Sequence, residues 1–150
     1  MESQQFKVGY DQRYLICALA YAVAGMSLGL FMAASHNHAQ FVTHAHALLV
    51  GFVVSLLYAL IQKLWLADRE SRLARAQFFA HQAGAATMVI GLFELYGQSV
   101  PMHIVEPILA LASITVLIAA LLMLVMVVRL SVNQARRTDS GVRAAAAPPV

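Results

Sequence analysis

Residues 41–65 read FVTHAHALLVGFVVSLLYALIQKLW, and Lys63 is the only formally charged side chain among them. A helix of about 20 apolar residues crosses the hydrocarbon core of a bilayer. The stretch therefore predicts a membrane-spanning helix over 43–65. Three further apolar runs flank it and predict spans over 14–34, 77–96 and 107–128. Pro107 would open the last, since proline is favoured at the first helical position.

The whole chain has the same character. Of its 150 residues, 61% are hydrophobic and 11% charged, and the mean hydropathy is +0.72. A soluble domain of this length would need more charge. The expected fold is all-α, an integral membrane four-helix bundle. Residues 1–133 form the transmembrane domain and leave no room for a second one. Residues 134–150 run from arginine-rich to Ala/Pro-rich and are expected to be a disordered cytoplasmic tail.

The cations set the expected topology. Lys7 and Arg13 precede span one, Lys63, Arg69, Arg72 and Arg75 lie around the middle connection, and Arg129, Arg136, Arg137 and Arg143 follow span four. The connections 35–42 and 97–106 hold no Lys or Arg. The positive-inside rule then puts both termini and the middle connection in the cytoplasm. The basic balance is thus a topology signal and needs no nucleic-acid partner. Span one is longer than a signal-peptide core, and its polar lead is not strongly basic, so it is expected to be retained. The lone cysteine, Cys17, is expected to pack as a small hydrophobe. Small residues form two packing stripes, Ala18, Ala22, Gly25 and Gly29 on span one and Ala80, Gly84, Thr87 and Gly91 on span three.

Histidine inside a span marks a candidate functional site. His44 and His46 lie near the outer end of span two. At about 100° per residue, such an i, i+2 pair points to nearly opposite sides of a helix. The two cannot easily grip one ion, but they could serve two sites, as ligands of heme iron, copper or zinc. Gly51, seven residues after His44, would share its face and leave room for a flat group. His81 should lie roughly 15 Å deeper than His46, so the two cannot be axial ligands of one iron in a single chain. It could form a separate site, handle protons, or hydrogen-bond between helices. His36 and His38, in an extended loop, could bind copper or zinc with His103 and Glu106. Glu94, near the outer end of span three, could reach headgroups, relay protons or meet a cofactor edge. Tyr10, Tyr14, Trp65 and Tyr96 fit interfacial aromatic belts.

Two segments resemble a family of small four-helix membrane proteins related to heme-copper oxidase subunit I. His44-Ala45-His46-Ala47-Leu48-Leu49-Val50-Gly51-Phe52 is similar to that family's His-x-His motif on span two. Gln77-Phe78-Phe79-Ala80-His81-Gln82-Ala83-Gly84 is similar to its span-three motif, with Gln77 in place of a histidine. Ala47 and Leu48 also depart from the first motif. The resemblance implies that four helices are one third of a twelve-helix ring, hence a homotrimer. It further implies a b-type heme at each interface, with His44 of one chain and His46 of its neighbour as axial ligands. The implied function is electron transfer or redox sensing in the bacterial inner membrane. Quinol or a periplasmic redox protein would be the electron partner, and any oxidoreductase turnover is left open. The alternative is a copper- or zinc-binding protein in metal handling that uses His36, His38, His44, His46 and His103. A third reading is a purely structural subunit.

Overall fold

The computed structural model describes residues 9–66 and 71–145. All the regular structure within them is helical. Four helices are each long and apolar enough to cross a membrane: α1 (Tyr10–Ser35), α2 (Phe41–Leu64), α3 (Arg72–Gly97) and α4 (Met102–Ala145). Arg69 lies outside the described residues.

The helix ends follow from local chemistry. Ser71 caps α3 by accepting the Ala74 amide at 3.0 Å, which satisfies a donor that the first turn leaves unpaired. At the far end of α3, Gln98 is left-handed with φ 57°. The Ser99 amide returns to the Glu94 carbonyl and the Gln98 amide to that of Leu95, which closes the helix. α1 also ends on a left-handed residue, His36, φ 54°.

Three features of the helices differ from the plain sequence reading. α4 begins at Met102, so Pro107 lies inside it and His103 and Glu106 belong to its first turns rather than to a loop. The Ile104 amide bonds the Pro101 carbonyl at 3.0 Å and starts the helix five residues early. Pro107 has no N–H, so the His103 carbonyl lacks its usual partner. α4 also continues through 134–145, which had been expected to be disordered; alanine and arginine are strong helix formers, and no proline intervenes before Pro148. Residues 146–150 lie outside the described part. Third, residues 47–54 of α2 are a π-helix, flanked by α-helix at Phe41–His46 and Ser55–Leu64. Nothing in the residue pattern announced that wider turn.

The helices form two antiparallel hairpins, α1–α2 and α3–α4. Small residues line the seam of each. On α1, Gly25 faces Leu48, and Gly29 faces the His44 ring, whose Cε1 would lie 2.8 Å from any Cβ placed there. On α3, Gly84 faces Val116 and Gly91 faces Leu109. Thr87 departs from the expected stripe and is exposed. Outward faces carry large apolar side chains, such as Leu30 at 73% exposure, as lipid contact requires.

The hairpins meet along the upper and middle parts of α2, which approach α3, and at the lower end, where α1 begins and α2 leads to α3, through a cluster of aromatic side chains. Tyr14 packs edge-on against Phe78 at 4.8 Å and Tyr58 at 5.6 Å, and Tyr10 lies 5.5 Å from Phe78. Tyr10 and Tyr14 are thus core residues (Tyr14 is fully buried), not members of an interfacial belt. Trp65 and Tyr96 are exposed, as a belt requires.

Candidate functional site

His44 and His46 sit on the short α-helical start of α2, which ends at His46 directly before the π segment. The His44 ring crosses to α1, and its Nδ1 lies 2.8 Å from the Gly25 carbonyl. His46 turns back on its own helix, with Nδ1 2.9 Å from the Val42 carbonyl. A carbonyl only accepts, so both rings carry their hydrogen on Nδ1. In the neutral ring Nε2 is then the nitrogen with the lone pair, and neither Nε2 has a hydrogen bond among the described residues. An N–H held by a backbone carbonyl is the outer support that orients metal-ligating imidazoles. Both rings are half-buried.

The two rings diverge, as their spacing demands. His44 lies against Gly25 and Gly29 of α1. His46 heads an outward row that continues through the exposed Leu49, Val53, Leu57, Leu60 and Leu64. Gly51 faces α1, as His44 does: Tyr21 lies one turn from Gly25 and two from Gly29 on the same stripe of α1, against which the His44 ring rests. The space at Gly51 is filled by the Tyr21 ring, and no flat cofactor fits there within one chain.

His81 is fully buried at the level of Ser55, nine residues beyond His46 on α2 and roughly 13 Å further along the axis. Its Nε2 shares a 3.1 Å hydrogen bond with Ser55 Oγ, which also accepts Gln82 Nε2 at 3.1 Å. The Tyr58 ring stands edge-on to it at 4.9 Å. Nδ1 lacks a hydrogen bond of ordinary geometry, although the Val50 carbonyl of the π segment interacts with the ring. Below it, the Tyr14 hydroxyl donates to Gln77 Oε1 at 2.6 Å, and Gln77 Nε2 reaches the Ala119 carbonyl at 3.4 Å. Gln62 is fully buried with both amide atoms unpaired. The lower half thus contains a polar core that the histidine count alone had missed. A signal existed: Ser55, Tyr58 and Gln62 repeat at i, i+3 and i+7, and Gln77 and His81 at i and i+4, so each set lies on one helix face.

The remaining candidates stay apart. His36 caps α1 in a left-handed conformation, so the loop is not extended there, and the alternation expected for His36 and His38 does not hold. His103 and Glu106 are exposed on α4. Among the described residues, no three His, Cys, Asp or Glu side chains converge to hold a metal ion.

Above the polar core α2 stays against α3, while α1 and α3 stand apart. A cleft of about 600 Å³ opens between α1 and α3, with Thr43 and Ala47 of α2 as its floor. Gln40 roofs it, donating to the Phe93 carbonyl at 3.0 Å and accepting Thr43 Oγ1 at 2.6 Å. Glu94 lines this cleft.

No family model, curated protein or solved structure matches this chain.

Proposed function

We propose that the protein binds b-type heme and serves membrane electron transfer or redox sensing. His44 of one chain and His46 of a neighbouring chain are the axial ligands, in a homotrimer with one heme at each interface. The observation that carries this reading is the pair of bare Nε2 atoms, each backed by a carbonyl-bound Nδ1 and turned to different sides of α2. Two ligands that diverge within one chain can share an iron only between chains. Tyr21 in the space at Gly51 also favours an interface over an internal cradle. Heme held by two histidines has both axial positions filled, which suits one-electron exchange. The chain's own part is to fix the imidazole tautomers and to keep them in an apolar surrounding that excludes water. In this reading the lower end faces the cytoplasm of a bacterial inner membrane, and quinol or a periplasmic redox protein exchanges the electron.

A reduced-minus-oxidised spectrum of detergent-purified protein tests the reading. A b-type signal that is lost in both His44→Ala and His46→Ala, with a trimeric mass, is the expected result. Bound copper or zinc without a Soret band would replace it with a metal-handling role.

A further inference from the structure

We propose that the cleft between α1 and α3 is a binding site for a lipophilic cation that enters from the membrane. Its walls and floor include Ala24, Leu28, Ala47 and Phe93, and Glu94 is the one ionisable side chain in its lining. Clefts of about 300–1,000 Å³ with apolar walls and a few polar groups are the usual form of small-molecule sites, and this one measures about 600 Å³. The Gln40–Thr43–Phe93 hydrogen bonds cover its upper end. Ile90 and Phe93, at 62% and 47% exposure, border its open side. Access is therefore lateral, from lipid, and selects apolar ligands.

The charge of the occupant follows from Glu94. Its carboxylate forms no ion pair or hydrogen bond among the described residues. A carboxylate in an apolar span is costly unless a partner neutralises it. Phe93 also lines this space, and an aromatic ring is compatible with a cationic occupant. A ligand that combines apolar bulk with one positive charge satisfies wall, ring and carboxylate together. Neither His44 nor His46 lines the cleft, so the site is independent of the proposed heme.

Tetraphenylphosphonium binding to the full-length protein in lipid nanodiscs tests this, with neutral triphenylphosphine oxide as control. Saturable binding of the cation is expected, at least about tenfold weaker in Glu94→Gln and lost in Ala24→Phe, which fills the cleft from an exposed position. Both variants should retain the helical circular dichroism and the elution volume of the wild type. Equal binding of the neutral compound, or unchanged binding in folded Glu94→Gln, overturns the proposal. Binding that persists in wild type but vanishes in His44→Ala would place the ligand elsewhere and overturn it too.

Discussion

The two halves of the bundle are built on different principles. The lower half is filled: Tyr10, Tyr14, Tyr58 and Phe78 interlock, and the hydrogen bonds of Gln77, His81 and Ser55 join all four helices. In the upper half each hairpin is closed on its own small-residue seam, and a cleft separates α1 from α3 while α2 bridges them. Hydrophobic burial discriminates poorly between protein and lipid as surroundings, so helix association in a bilayer relies on close packing and polar contacts. The lower half concentrates both and acts as the anchor. The upper half is left free to hold ligands.

That contrast can be broken most forcefully at Tyr14. Its ring touches Phe78, Tyr58 and His81, and its hydroxyl satisfies Gln77. Tyr14→Ala is expected to lower stability by about 3–5 kcal/mol, measured by thermal unfolding in detergent. At the border between the halves, Gly51→Val would press a side chain into the Tyr21 ring. A loss of about 1–3 kcal/mol is expected, with the α1–α2 seam loosened. Gln62 is the weak point of the lower half, because its buried amide is unpaired. Gln62→Met keeps the volume and removes the orphaned groups, so a gain of about 1 kcal/mol is expected; a loss would show that the amide has a partner. Ala24→Phe, on the open side of the upper half, should change stability by less than about 0.5 kcal/mol. A larger loss there would mean that the cleft is closed by protein.

The four spans were readable because apolar length and the placement of cations are one-dimensional properties. So was the divergence of His44 from His46, because a helix converts spacing into direction. Span four was read from Pro107, although the Pro101 carbonyl starts the helix earlier. The π segment is not legible, because it depends on packing between helices and no residue type encodes it. Tyr10 and Tyr14 were read as belt residues on composition and depth. Their burial depends on Phe78 and Tyr58, which arrive from other helices. The cleft is least legible of all, being set by how far α1 and α3 stand apart.

The pairing of helices also bears on how the chain is made. α1 and α2 leave the ribosome first, and their glycine seam is complete in itself, so they can enter the bilayer as one hairpin. Ser55 and Tyr14 then lie in hydrocarbon without Gln82, His81 or Gln77 until the second hairpin arrives. An unsatisfied polar group there is unfavourable, so the first hairpin is drawn toward the second as soon as it is synthesised. The polar residues of the lower half thereby favour docking of the first hairpin against the second over its remaining alone in the bilayer.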